Sequence, residues 1–140
     1  MAPPESRFER DSESMPRIGC DIADAQNISD SVNAFGERYL GRIYTDAERV
    51  QCAEAPERLA ARFAAKEAVL KVLRAPAGIS FRDVEIIDDE DGAPHVTLHR
   101  HAREAAQAQR LGPIALSMSH ERGLALATAI SLPTSGSRHS

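Results

Sequence analysis

Three charged residues stand where they could act together on a phosphate-bearing substrate. Asp21 ends the short segment "PRIGCD", while Glu67 and Lys71 lie in the segment "RFAAKEAVLKVL" at residues 62–73. Two converging carboxylates, without a histidine–cysteine ligand pattern, suit a hard cation such as Mg²⁺, which takes one or two carboxylates plus waters and substrate phosphates. A lysine one helical turn after a metal-binding glutamate is well placed to stabilise a leaving or transferring oxygen. These residue types therefore favour chemistry on a phosphate group.

The segment 62–73 is predicted to be a buried helix. At about 100° per residue, Glu67, Lys71 and Arg74 fall within one sector of this helix. Arg62 and Lys66 share another sector, and the other positions from 59 to 73 are Ala, Phe, Val and Leu on all sides, as in a helix packed on several faces. A buried carboxylate is costly unless it meets a counter-charge, a hydrogen-bond donor or a metal. Glu67 and Lys71 could therefore serve a site, with Arg62, Lys66 and Lys71 neutralising phosphate charge. Alternatively, the two could simply pair with each other on a solvated edge.

The remaining elements predict an α+β fold. "PRIGCDI" predicts a strand that ends near Asp21, the spacing of apolar residues in "SVNAFGERYLGRIY" predicts an amphipathic helix, and "TDAE" offers a capping box for a further short helix. "FRDVEIID" and "HVTLH" predict two antiparallel strands joined by an Asp-Gly turn, and "RHAREAAQAQRLG" predicts a helix. "PIALSMSHERGLALATAISL" predicts two final strands with a polar turn at 120–123. The order βααββαββ indicates an antiparallel sheet packed against helices, with Phe81 and Met118 in the core.

Size and composition bound the class of protein. At 140 residues the chain is expected to form one domain, over residues 16–132, between flexible polar tails at 1–15 and 133–140. No apolar stretch is long enough to span a bilayer, so no membrane contact is expected. The N-terminus is polar and proline-rich, without the apolar core of a signal peptide, and a cytoplasmic location is expected. With 17 basic and 21 acidic residues and no basic run interleaved with aromatics, nucleic acid is not an expected partner.

Other chemistries have weaker support in the sequence. His95, His99 and His101 would share one strand face and could bind zinc if that strand continued, but the last of them more naturally begins a helix. Cys20 and Cys52 follow no metal or redox spacing. The serines of "SMSH" lack the matching base and oxyanion signature of a hydrolase.

Three segments of the sequence resemble the motifs of a known family in content, order and spacing. "IGCDI", "RFAAKEAVLKVL" and "LSMSHERGLALATAI" resemble the holo-acyl-carrier-protein synthases, the short phosphopantetheinyl transferases. That family has a G-x-D near the N-terminus, an F-x-x-K-E-A-x-x-K helix and an S-H near the C-terminus. "GERYLGRIYTDAE" and "DVEIIDDEDGAPHVTL" look like further segments of the family. The resemblance covers about residues 17–131, and its specific element is the K-E-A-x-x-K helix, because G-x-D or S-H alone would be weak.

The resemblance implies a reaction and a role for each candidate residue. The family transfers the phosphopantetheine arm of coenzyme A to a serine of an acyl carrier protein and releases 3′,5′-ADP. Asp21 and Glu67 would hold Mg²⁺ against the pyrophosphate, and Glu67, directly or through a metal-bound water, would accept the serine proton. Lys71 would stabilise charge on the phosphates, and His120 would contact the coenzyme near its nucleotide. Positioning and charge neutralisation of this kind are what phosphoryl-type transfer chiefly needs.

The resemblance also implies how the chain assembles. Longer transferases of this superfamily contain two such halves in one chain, with the site between them, whereas this sequence supplies one half. We therefore expect self-association, and the assembly implied by the family is a homotrimer with active sites at subunit interfaces.

An acyl carrier protein is the expected macromolecular partner. In the family, the helix after the first motif carries basic residues that dock the acidic carrier, and Arg38 and Arg42, together with Arg49, are available here. Three acidic residues between positions 37 and 48 dilute this patch. Asn27 stands where arginine is expected, which predicts a dedicated carrier, of a polyketide or other specialised pathway, rather than only the fatty-acid carrier.

Two other classes of function stay open at this point. One is a non-catalytic module that binds coenzyme A or a nucleotide, and the other is a structural protein whose charged helix makes salt bridges between subunits. Intact Asp21, Glu67 and Lys71 favour the transferase over both. The sequence also leaves open Mn²⁺ in place of Mg²⁺ and acyl-coenzyme A as a donor.

Overall fold

The chain forms an α+β fold of order βααααββαββ in the computed structural model, which describes residues 15–74 and 78–134. The strands are β1 (Ile18–Asp24), β2 (Val84–Asp88), β3 (Pro94–Leu98), β4 (Ile114–Glu121) and β5 (Leu124–Ser131). The helices are α1 (Ala25–Phe35), α2 (Glu37–Ile43), α3 (Asp46–Cys52), α4 (Pro56–Leu73) and α5 (Arg100–Ala108), and a 3₁₀ turn spans Phe81–Asp83. The α+β class is confirmed. The tails predicted at 1–15 and 133–140 lie almost wholly outside the described residues, and none of the described helices is long and apolar enough to cross a bilayer.

The strands form two antiparallel sheets where the sequence predicted one. β1, β5 and β4 make a three-stranded sheet in that order, and β2 and β3 make a separate hairpin. Side chains of α3 bond to the backbone of β2: Ile86 N–H donates to Glu48 at 2.8 Å, and Asp88 N–H donates to Gln51 at 2.9 Å. Because α3 satisfies these donors, β2 needs no further strand at that edge.

The three-stranded sheet has one face against α4 and one face towards the outside. Asp21 lies opposite Ala127 of β5, which lies opposite Met118 of β4. His120 lies opposite Ala125, two residues along the same strands. Since side chains alternate between the two faces of a strand, Asp21 and His120 both belong to the face that α4 covers. The outer face carries the exposed apolar side chains Ile18, Ile22, Leu124 and Leu126.

α4 is the central helix of the fold, and it is buried on several sides as predicted. Pro56 occupies its first turn, where a missing N–H costs nothing, and Arg74 ends it in the left-handed conformation, with φ 49°. Small side chains let the sheet approach the helix closely; the fully buried alanines are Ala60, Ala64, Ala65 and Ala68. This close approach sets the distance between the side chains of β1 and those of α4.

Gly19 makes the tightest of these approaches. A Cβ atom at this position would lie 2.0 Å from the carbonyl oxygen of Ala68, and a helix backbone cannot move aside cheaply. Gly19→Ala is therefore expected to lower the free energy of unfolding by about 2–4 kcal/mol, measured by urea denaturation. Gly41→Ala is the control, because nothing lies within 4 Å of its Cβ and alanine is preferred in a helix by about 1 kcal/mol. Similar losses from both substitutions would contradict the close contact.

Two boundaries differ from the sequence prediction. The segment "SVNAFGERYLGRIY" was predicted to form a single helix but forms two. Gly36 adopts φ 55° and its N–H donates to Val32 O, so α1 ends at the preceding residue, Phe35. β1 runs past Asp21 to Asp24, since its pairing with β5 continues to Leu124. Asp24 then caps α1 by accepting the N–H of Gln26 at 2.8 Å. Asp21 is consequently a mid-strand residue rather than the end of a strand.

Candidate active site

Asp21, Glu67 and Lys71 meet where β1 crosses α4. The Lys71 ammonium donates to Cys20 O at 2.7 Å and to Asp21 Oδ1 at 3.2 Å. The Asp21 side chain is 23% exposed and the Lys71 side chain 53% exposed, so the pair lies at an accessible edge of the strand–helix contact. The sequence also allowed Lys71 to pair only with Glu67 on a solvated edge of the helix. Lys71 instead bonds to residues of β1. We call these three residues the carboxylate cluster.

Glu67 is half-buried, and its pKa is raised above the ordinary glutamate value. Burial is the largest cause, the negative charge of Asp21 adds to it, and the positive charge of Lys71 opposes it. Two carboxylates that repel each other in a partly desolvated place have a high affinity for a cation. No group of three or more histidine, cysteine, aspartate or glutamate residues in 15–74 and 78–134 is arranged to hold a metal. Asp21 and Glu67 are two neighbouring carboxylates, and such a pair fits Mg²⁺ because that ion keeps waters and takes substrate phosphates as its other ligands.

His120 lies on the same face of the sheet as Asp21, but on β4, on the far side of the central strand β5. It is exposed and lines a small hollow beside Glu57 and Ala60, near the start of α4. The single chain therefore places His120 at the opposite end of α4 from Lys71.

Arg62 and Lys66 occupy a separate sector of α4, as predicted, and that sector faces α3 and β2. Lys66 is fully buried, and its ammonium bonds to Glu48 Oε1 at 2.7 Å, to Phe81 O at 2.9 Å and to Val84 O at 2.5 Å. These acceptors use all three N–H groups of a lysine. The structure does not bring Lys66 into the carboxylate cluster.

Arg62 is also buried but is less completely satisfied. Its guanidinium donates to Gln51 Oε1 at 2.8 Å and pairs with Asp88 at 3.3 Å. Arg62 Nε and Asp88 Oδ1 are buried without a hydrogen-bond partner. Arg62 therefore lies apart from the carboxylate cluster, and its unpartnered donor is enclosed by the protein.

Arg38 and Arg42 line a groove of about 390 Å³, to which α4 contributes Phe63. The groove is lined by Ser31, Phe35, Arg38, Tyr39, Arg42, Ile43, Phe63 and Phe81, and we call it the aromatic groove. Half of its lining is aromatic, in a chain with only six aromatic residues. Phe81 packs against the core as predicted and also lines this groove. The sequence prediction missed the groove itself; the overlooked signal is that aromatic residues are scarce and yet flank the basic helix.

The acidic residues expected to dilute the basic patch are partly neutralised. Glu37 accepts two hydrogen bonds from Arg49, at 2.7 and 2.9 Å, which lower the Glu37 pKa. Glu48 is fully buried against Lys66. Arg49 is therefore engaged with Glu37, while Arg38 and Arg42 face the groove.

The three histidines considered for zinc each have a different carboxylate neighbour. His95 bonds to Asp89 at 2.8 Å, His99 to Glu85 at 3.0 Å, and His101 to Glu104 at 3.3 Å. His101 lies in the first turn of α5, so the strand does not continue through it. Cys20 is exposed, Cys52 is buried, and both are free thiols.

Comparison with known proteins agrees with this geometry. The model of the 4′-phosphopantetheinyl transferase superfamily matches residues 17–129. The holo-[acyl-carrier-protein] synthase of Koribacter versatilis is 40% identical over 117 residues, covering 80% of this chain and 94% of its own length. Crystal structures of the holo-[acyl-carrier-protein] synthases of Helicobacter pylori, solved with coenzyme A, and Neisseria meningitidis are each 31% identical, with TM-scores of 0.74 and 0.75. They cover 82% and 83% of this chain, and 99% and 97% of their own. The chain therefore belongs to the holo-[acyl-carrier-protein] synthase family of 4′-phosphopantetheinyl transferases, and it is an enzyme of that class.

Proposed function

We propose that this enzyme transfers 4′-phosphopantetheine from coenzyme A to a serine hydroxyl of an apo acyl carrier protein and releases 3′,5′-ADP. The serine oxygen forms a bond to the phosphorus on the pantetheine side of the diphosphate. The bridging P–O bond breaks, and its electron pair leaves with the nucleotide. The observation that carries the proposal is the convergence of Asp21, Glu67 and Lys71 on one exposed edge.

Each residue of the carboxylate cluster has a role that its surroundings support. Glu67 accepts the serine proton, directly or through a water on the bound cation; in the metal-free chain its pKa is raised. Lys71 is a half-exposed donor beside Asp21, so it can bond to a phosphate oxygen and stabilise the charge that develops there. Asp21 orients Lys71 through their ion pair, and its negative charge adds to that of Glu67.

A divalent cation fits the two carboxylates. Asp21 and Glu67 would hold Mg²⁺, and the bound ion would supply charge neutralisation for the diphosphate. Measuring transfer with Mg²⁺, Mn²⁺ and EDTA tests this assignment and separates the two metals. The remaining coenzyme contacts that we propose are Lys71 and His120.

The carrier protein would dock on the aromatic groove. Acyl carrier proteins are acidic, and Arg38 and Arg42 beside an apolar floor suit an acidic helix with apolar side chains. Asn27 on α1, where family members are expected to have arginine, supports a dedicated carrier such as that of a polyketide pathway. Modification rates on several purified apo carriers test this point, and a clear preference for the fatty-acid carrier would contradict it.

Charge reversal at the groove is expected to weaken carrier binding. Arg38→Glu combined with Arg42→Glu should raise the KM for the carrier by about 10-fold or more, because attraction becomes repulsion, and the effect should shrink at high salt. KM for the carrier and for coenzyme A would be measured at two ionic strengths. Arg103→Glu combined with Arg110→Glu, at exposed positions on α5 and just after it, is the control with the same change in net charge. An equal rise in that variant would mean that overall charge, and not the groove, governs binding.

We also propose a homotrimer that works in the cytoplasm. The outer face of the three-stranded sheet exposes four large apolar side chains, a concentration that supports burial against another copy. Within the described residues, Lys71 is the cation hydrogen-bonded to Asp21. Sites that lie between subunits would add cations from a neighbour.

Intact mass spectrometry tests the proposed reaction directly. An apo carrier incubated with this protein, coenzyme A and Mg²⁺ should gain one phosphopantetheine, and EDTA should prevent the gain. Folded protein that binds coenzyme A but modifies none of several carriers would instead support a non-catalytic binding module.

A further inference from the structure

The ion pair between Lys66 and Glu48 is fully enclosed by the chain. Both side chains are 0% exposed, and their charged atoms lie 2.7 Å apart. Glu48 also accepts N–H groups from Thr45 and Ile86, each at 2.8 Å. Neither residue has a polar group free for a ligand, although Lys66 directly precedes Glu67.

The pair connects elements that are far apart in the sequence. From α4, Lys66 reaches the carbonyls of Phe81 and Val84, which fixes the 3₁₀ turn and the start of β2. Through Glu48 it also fixes the N-terminus of α3 and the backbone of Ile86. These bonds therefore tie α4 to the 3₁₀ turn, to β2 and to α3.

The same turn forms one side of the aromatic groove. The Phe81 ring stacks on Phe63 of α4 with ring centroids 5.4 Å apart, and both rings line the groove. The next residue, Arg82, donates to Gly41 O of α2 at 2.8 Å. α2 carries Arg38 and Arg42, so a displaced 3₁₀ turn would move both the floor and the basic rim of the groove relative to Glu67.

We infer that Lys66, together with Glu48, is a positioning residue that holds the aromatic groove in register with the carboxylate cluster, and that it affects carrier binding rather than the coenzyme. This rests on the proposed function. Replacing a buried ion pair by apolar groups of similar volume often costs little stability, whereas removing one partner costs much. The directional bonds from Lys66 to two carbonyls are what an apolar side chain cannot reproduce.

The test uses the full-length protein and a variant that removes both charges. Lys66→Met combined with Glu48→Gln should raise the KM for the apo carrier by about 10-fold, while the KM for coenzyme A stays within about 2-fold of wild type. A merely structural loss would lower the amount of active enzyme without separating the two KM values. A raised KM for coenzyme A with an unchanged carrier KM would make Lys66 a coenzyme ligand and overturn the inference, as would two unchanged values.

A second variant keeps the inference testable if the double variant does not fold. Arg82 is exposed, so Arg82→Met breaks only the link from the turn to α2 and should raise the carrier KM by about 3-fold or more, with Arg103→Met as its matched control. An unchanged carrier KM in Arg82→Met would overturn the inference. Wild-type protein in the same assay distinguishes failure of the proposed function from failure of the positioning role. If wild type transfers no phosphopantetheine, the proposed function is wrong. If wild type is active and the variants have unchanged KM values, only the positioning role is refuted.

Discussion

Glu67→Gln should reduce kcat for phosphopantetheine transfer by about 10³-fold while the fold is retained. Glutamine has nearly the same shape, but it cannot accept the serine proton, and it is a neutral and weaker ligand for a cation. The KM for the carrier should change little, because the aromatic groove is built from other residues. Single-turnover mass spectrometry with saturating coenzyme A would measure the effect.

The pH profile gives an independent test of the same residue. In the metal-free chain, burial and Asp21 raise the pKa of Glu67, whereas a cation held by Asp21 and Glu67 would lower it. The activity kcat/KM should therefore fall as the pH drops and Glu67 becomes protonated, and this fall should begin at a lower pH with saturating Mg²⁺ than with limiting Mg²⁺. This acidic limb should be lost in the residual activity of Glu67→Gln. Glu104→Gln, on the exposed side of α5, is the control and should behave as wild type. Substantial activity of Glu67→Gln with an unchanged acidic limb would assign the proton to another acceptor.

The stability of Glu67→Gln should change in the opposite direction to its activity. A carboxyl group whose pKa is higher in the folded than in the unfolded state destabilises the fold once the pH exceeds the ordinary glutamate value. In metal-free buffer at neutral pH, the variant should therefore be at least as stable as wild type. Thermal unfolding of the two proteins would show whether Glu67 serves function at the expense of stability.

The parts of the fold that depend on nearby residues could be predicted from the sequence. The capping box of Thr45 and Glu48 forms with both of its hydrogen bonds, because its partners are three residues apart. The all-round apolar pattern of 59–73 correctly predicted a helix buried on several sides. The separation of Arg62 and Lys66 from Glu67 and Lys71 into different sectors also followed from helical spacing alone.

The tertiary contacts made by each sector of α4 could not be predicted from helical spacing. Lys66 bonds to residues 15 and 18 positions away, Phe81 and Val84, and that contact depends on how the β2–β3 hairpin packs. The β2–β3 hairpin was predicted correctly, but its separation from the other sheet was not, because Glu48 and Gln51 bond to β2 with side chains, and a strand pattern does not reveal this. The aromatic groove was missed for a similar reason, since Phe63 and Phe81 meet only through tertiary packing.

Leu126→Glu is expected to dissociate the assembly and to abolish most of the activity with it. Leu126 is 44% exposed on the central strand of the three-stranded sheet, among Ile18, Ile22 and Leu124. Apolar surface contributes about 25 cal/mol per Å² when it is buried between subunits, and a charge placed in such an interface costs more than the leucine contributed. Analytical ultracentrifugation should show a trimer for wild type and a folded monomer for the variant.

The control for this substitution is Val50→Glu. Val50 is 80% exposed on α3, away from the outer sheet face, so the same type of replacement should leave assembly and transfer unchanged. If sites lie between subunits, transfer by Leu126→Glu should fall by about 10²-fold or more, because cations supplied by a neighbour to the diphosphate are lost. Recovery of activity at high protein concentration would then follow re-association by mass action. A fully active monomer would instead mean that one chain completes its own site, and that the exposed leucines of the sheet serve some other contact.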